Sequence, residues 1–122
     1  MLLVVLSAGI ILLGGCKTTI TDSEGQKEAV YSMNDLTADI PDGIDKVYAA
    51  SEKAVADLGL TVTHKYSDAL AAKIVARDAQ DKKIEINLKS MKEKMTRLTI
   101  QVGIVGDQTK TEMIYRKIMD NL

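Results

Sequence analysis

Residues 84–89 read Ile84-Glu85-Ile86-Asn87-Leu88-Lys89, with an apolar side chain at every second position and a polar one between. Successive side chains of a strand point to opposite faces, so this spacing puts Ile84, Ile86 and Leu88 on one face and Glu85, Asn87 and Lys89 on the other. A helix would scatter the three apolar residues around its circumference. A strand that is dry on one side and wet on the other is the kind found in an antiparallel sheet covered on a single face.

The same period extends outward in both directions. Downstream, a loop over 90–95 leads to a strand in which Leu98, Ile100 and Val102 face the core, with Thr96, Arg97, Thr99 and Gln101 as its polar members. Upstream, residues 78–83 make a hairpin connection to a strand where Ile74 and Ala76 alternate with Lys73, Val75 and Arg77. Before it, Leu60, Val62, His64 and Tyr66 share one face of another strand, and Ser67-Asp68 marks its turn. Leu36, Ala38 and Ile40 form a further short strand, ended by Pro41.

Two stretches switch to helical spacing. After Pro41, Asp42 is placed as an N-cap; Val47, Tyr48, Ser51, Ala54, Val55 and Leu58 fall near one face. Gly59 stands where a left-handed C-cap is needed, and Leu60 would pack back to close it. At the C-terminus Met113 or Ile114, then Ile118 and Leu122, make an apolar stripe, with Thr109 and Glu112 at capping-box spacing and Asp107 as the alternative cap. The expected fold is α+β: a mostly antiparallel five-stranded sheet in the order strand-helix-strand-strand-strand-strand-helix, with both helices on one face and the other face partly wet.

The chain has no Trp and no Phe, so Val, Ile, Leu, Met and four Tyr must carry the core. Its net charge of −1 gives no general electrostatic footprint for nucleic acid, and no nucleic-acid partner is expected. The charge is unevenly spread: residues 22–45 carry a net −6 and residues 82–97 a net +4. Lys82, Lys83, Lys89, Lys92, Lys94 and Arg97 therefore form a basic contact patch for anionic headgroups or an acidic partner, or else an ordinary solvated face.

The N-terminus is of another kind. Residues 2–13 contain no charged side chain, and the first charge in the chain is Lys17. The 15 residues before Cys16 would span only roughly 22 Å as a helix, short of a ~30 Å hydrocarbon core, which suits a signal segment better than a permanent span. Leu13-Gly14-Gly15-Cys16 resembles the bacterial lipobox, in which an aliphatic and two small residues precede a cysteine that becomes the new N-terminus. Cleavage is expected between Gly15 and Cys16, with lipid attached at Cys16. The usual Lys or Arg before the apolar run is absent, and a translation start further upstream is expected.

That resemblance implies acyl chains, palmitate among them, and a membrane partner through a covalent lipid anchor. At ~0.8 kcal/mol per buried methylene such anchoring is effectively permanent. Lys17 follows the cysteine, where an Asp would mark inner-membrane retention in many Gram-negative envelopes, so the resemblance favours the outer membrane, facing the periplasm. The expected organisation is a signal peptide over 1–15, the acylated Cys and a polar tether over 16–30, and one domain over 31–122. With the single Cys acylated, no disulfide is available.

Val47-Tyr48-Ala49-Ala50, Leu58-Gly59-Leu60, Lys73-Ile74-Val75-Ala76-Arg77, Val102-Gly103-Ile104-Val105-Gly106-Asp107 and Ile114-Tyr115-Arg116-Lys117-Ile118 resemble a family of small bacterial lipoproteins known only as a domain of unknown function. Members usually carry Ser where Thr109 or Thr111 stands. The resemblance implies a lipid anchor and this order of strands and helices. It implies no activity, ligand, cofactor or catalytic residue.

Other chemistries find little support. Glycines before a helix can cradle phosphate, but Asp107 would occupy the positive end of the helix dipole, and Gly103 and Gly106 are separated by Ile104 and Val105 rather than polar groups. His64 is the only histidine and is expected to be a partly buried, hydrogen-bonded member of its strand. Asp42 with Asp45, and Asp78 with Asp81, lie at helix starts or turns where capping explains them. The chain is expected not to be an enzyme and to use no metal or cofactor. Two functions stand: a non-catalytic interaction or structural module with an envelope protein as partner, or a small-ligand binder using the open sheet face.

Overall fold

The computed structural model describes residues 18–21, 28–92 and 94–122. Its elements run β1 (Thr18–Thr21), β2 (Glu28–Ser32), β3 (Asp35–Ile40), α1 (Ile44–Asp57), β4 (Thr61–Ser67), β5 (Ala71–Arg77), β6 (Lys83–Met91), β7 (Met95–Val102) and α2 (Gln108–Asp120). The fold is α+β. Among the described residues the seven strands form one antiparallel sheet in the order β1-β2-β3-β7-β6-β5-β4.

The period of two in the sequence becomes the inner face of this sheet. Leu36, Ala38 and Ile40 on β3, Leu98, Ile100 and Val102 on β7, Ile84, Ile86 and Leu88 on β6, and Ala72, Ile74 and Ala76 on β5 are all buried. Across them lie Val47, Ala50, Ala54 and Val55 of α1 and Ile114, Tyr115 and Ile118 of α2, so both helices cover one face. The polar residues between, such as Glu85, Asn87, Thr99 and Gln101, line the uncovered face.

The sheet has seven strands where the sequence suggests five. Residues 16–30, expected to be a tether, supply β1 and the first part of β2, and a domain boundary at Tyr31 would cut β2 in two. This stretch is polar and lacks sustained alternation, yet Ala29 is fully buried opposite Ala38. The turn joining β2 to β3 is Met33-Asn34, with positive φ at both residues (55° and 72°), the feature of a type I′ hairpin. Asn-Gly or Asp-Gly would have announced that turn; Met-Asn does not.

The helix ends are mixed in outcome. Gly59 has φ 72°, and the Gly59 and Leu60 amides donate to the Ala56 and Val55 carbonyls, which makes the Schellman closure that the sequence suggests. Asp42, however, is not the N-cap of α1. That place belongs to Gly43, with no side-chain cap, and Asp42 instead accepts the Thr96 hydroxyl on its carbonyl and reaches Lys46 with its carboxylate. For α2 the alternative holds: Asp107 caps the helix, its carboxylate accepting the Lys110 amide at 3.0 Å.

Strand β4 also departs from expectation. Leu60, Val62, His64 and Tyr66 do not share one face, because a bulge between Val62 and His64 shifts the register: Val62 pairs with Ala76 but His64 with Val75. Every residue of β4 is exposed. As an edge strand it gains from that irregularity, since a bulged, polar edge is a poor template for pairing with another chain.

Candidate functional site

Gly15 and Cys16, expected to carry cleavage and lipid attachment, lie outside the described residues. The six basic residues of the contact patch lie within them and separate into two groups. Lys82 and Lys83 stand at one end of β6; Lys92 and Lys94 stand in the turn beyond its other end, with Lys89 and Arg97 paired across β6 and β7 nearby. Nine strand residues place those ends roughly 27 Å apart, so the six do not make one patch.

Several of these cations are already engaged. Arg97 forks the Asp39 carboxylate at 2.8 and 3.1 Å, and this hydrogen-bonded pairing holds Asp39 below its ordinary pKa. Lys83 lies 2.8 Å from Glu85, with Lys73 at 3.7 Å, and the hydrogen bond from Lys83 is the main reason that Glu85 is lowered too. Lys82 sits 3.6 Å from Asp107. Asp107 is lowered chiefly by the Lys110 amide it caps.

Next to the Lys83 group the uncovered face holds a less comfortable carboxylate. Asp35 and Glu85 both lie opposite Gln101, one on each side of it. One Asp35 oxygen is buried with no hydrogen-bond partner among the described residues. Burial, and then the Glu85 charge, push Asp35 above its ordinary pKa. An open groove of about 540 Å³ runs alongside, lined by Arg77, Lys83, Glu85 and Gln101 among others.

His64 is exposed on the edge strand, its ring tilted 57° to that of Tyr66 at 6.3 Å. The partly buried, hydrogen-bonded histidine expected from the strand pattern is therefore not what forms, for the register reason given above. Among the described residues, no group of three or more His, Cys, Asp or Glu side chains stands close enough to hold a metal ion. Among them too, no helix is long and apolar enough to cross a membrane.

The feature missed in the sequence lies at the end of the sheet where β2 turns into β3 and β7 leads into α2. Met33, Ile104 and Val105 are 86%, 91% and 80% exposed there. Ile104 and Val105 stand between Gly103 and Gly106, both in the left-handed region. The loop is anchored on both sides: the Gly103 amide donates to the Lys83 carbonyl, and Gly106 lies against Tyr31 and Asn34. The available signal was a β-branched pair bracketed by glycines, with no alternation to bury it.

A family model described as "Protein of unknown function (DUF3568)" matches residues 1–121. The chain belongs to this family. The DUF3568 match takes in every strand and helix above as well as the apolar segment and Cys16. No curated protein matches this DUF3568 chain.

Proposed function

We propose that this chain is a lipid-anchored bacterial envelope protein whose domain is a non-catalytic interaction or structural module, held at the outer membrane and facing the periplasm. The observation that carries the reading is Leu13-Gly14-Gly15-Cys16 behind an uncharged apolar run. The family match spans this segment together with the domain. The domain behind it is a covered sheet whose carboxylates are mostly tied to neighbouring cations or backbone amides, an arrangement suited to holding a surface rather than to proton transfer.

The test is Cys16→Ser in the full chain with metabolic lipid labelling. Loss of label and accumulation of an uncleaved precursor are expected; normal processing of the variant would overturn the reading. The alternative, a small-ligand binder on the open sheet face, is favoured by the groove beside Glu85 and Gln101 and by the unpartnered Asp35 oxygen. Concentration-dependent thermal stabilisation by a small polar molecule, lost in Gln101→Leu, would favour that alternative.

A further inference from the structure

We propose that the end of the sheet carrying Met33, Ile104 and Val105 is a docking tip that seats the domain on the lipid bilayer. The proposal rests on the reading that Cys16 is acylated, and adds to it an orientation and an inserted surface. Single exposed apolar side chains are ordinary; three at 80% exposure or more on two adjoining loops are not. The loops adjoin because β3 pairs with β7, Asp35 opposite Gln101, and Gly106 packs on Asn34, next in sequence to Met33.

The direction of β1 says what covers this end. Thr18 pairs with Tyr31, and β2 runs on from Tyr31 through Ser32 to the Met33-Asn34 turn. The chain therefore joins β1 from the Met33 end of the sheet. Cys16 precedes Thr18 by two residues, a reach of at most about 7 Å. A lipid attached at Cys16 would hold this end against the bilayer. The far end, with the Leu70 turn and Lys92 and Lys94, lies about a strand's length away.

The backbone carries a second indication. Met33 has φ 55°, a conformation that suits Asn or Gly and is unfavourable for a long apolar side chain. Burial within the protein does not account for Met here, since its side chain projects into solvent. Insertion at a lipid interface does. The neighbouring cations Lys82, Lys83 and Lys110 are matched by Asp107, Glu85 and Asp78, so the contact is made by apolar side chains and does not require anionic lipid.

The experiment uses the full acylated chain, in which Cys16 is blocked and an introduced cysteine is the only free thiol. Ile104→Cys, Met33→Cys and Leu70→Cys variants carry an environment-sensitive fluorophore and are reconstituted into phosphatidylcholine vesicles, without and with spin-labelled lipid. Flotation reports attachment. Blue-shifted emission and quenching by spin-labelled lipid are expected at Ile104→Cys and Met33→Cys but not at Leu70→Cys. Flotation without quenching at the two tip positions, as with a tip left free for a protein partner, would overturn the docking tip and leave the anchor standing. Equal quenching at all three positions would also overturn it. Failure to float would overturn the anchor and the tip together.

Discussion

Gly106 lies against Tyr31 so closely that a Cβ at position 106 would fall 2.6 Å from the Tyr31 hydroxyl oxygen and 2.7 Å from Asn34 Cβ. The backbone at Gly106 has φ 90° as well. Gly106→Ala thus meets a left-handed penalty of about 1–2 kcal/mol and a contact that must be relieved at about 1–3 kcal/mol. A fall in Tm of roughly 10 °C or more is expected in a domain of this size. Gly59→Ala shares the positive φ but has nothing within 4 Å of the new methyl, and should lose only the left-handed penalty of about 1–2 kcal/mol. Equal losses would mean that conformation alone, not the Tyr31 contact, sets the cost.

Thr96 and Asp42 give a second contrast. The fully buried Thr96 donates its hydroxyl to the Asp42 carbonyl at 2.7 Å, tying β7 to the link between β3 and α1. Thr96→Val keeps the shape and leaves that carbonyl without its donor, at an expected cost of about 1–2 kcal/mol. Asp42→Ala removes only a partly exposed pairing with Lys46 at 3.5 Å, and should change stability by less than about 0.5 kcal/mol. Urea unfolding of the two variants checks both values. A large loss in Asp42→Ala would restore its side chain to a capping role.

These residues show which parts of the fold are legible in the sequence. Ile84, Ile86 and Leu88, their counterparts on β3, β5 and β7, and the caps at Gly59 and Asp107 all follow from local rules of alternation and backbone chirality. Thr18–Thr21 and Glu28–Ser32 do not, because a polar strand at a sheet edge is stabilised by its pairing partner rather than by its own pattern. The bulge at Val62 and His64 reverses the side chains after it, and no local feature reports it. The basic run over 82–97 separates because a strand extends about 3.3 Å per residue, so neighbours in sequence become opposite ends in space. The tip is the converse: Met33 and Ile104 are distant in sequence, and the pairing of β3 with β7, with Gly106 packed on Asn34, brings their loops together.

The acid limb of stability should report on Asp78 and Lys110. Lys110 Nζ lies 2.5 Å from Asp78 Oδ2, and the Asp78 side chain is only 5% exposed. The Lys110 hydrogen bond, helped by the Lys82 and Gln80 amides, lowers Asp78 from 3.8 to about 2. A folded pKa below the unfolded one gives stability that is whole above about pH 4 and lost as the pH falls through about 2. Asp78→Asn keeps an oxygen for the two amides but loses the charge. It should melt lower than the parent at pH 7, with the difference closing between pH 4 and 2. A difference that does not change with pH would remove the carboxylate from the explanation.

Asp35 should behave in the opposite sense. Burial and the Glu85 charge raise its pKa, so its ionised form is disfavoured in the folded state, and the resulting penalty is relieved as the pH falls through the raised value. Asp35→Asn removes the charge while keeping the size. A gain of a few degrees in Tm is expected at pH 7, shrinking to nothing once the parent carboxyl is protonated. Destabilisation at pH 7 would show that the charge is compensated, and a ligand cation on the open face would be the first thing to seek.

Stability and membrane contact should separate at Met33. Its φ of 55° is a left-handed position in a two-residue turn, where Asn is favoured over a long apolar side chain. Met33→Asn relieves that strain and removes no internal packing, since the Met side chain is exposed. The domain should gain up to about 1 kcal/mol, seen as a rise in Tm. If the tip seats on the bilayer, the same substitution should weaken lipid quenching reported from Ile104→Cys. A more stable protein with a looser contact at the membrane would mean that Met33 is kept for what it touches outside the fold. Unchanged quenching would leave Ile104 and Val105 as the inserted residues and Met33 as a bystander at the turn.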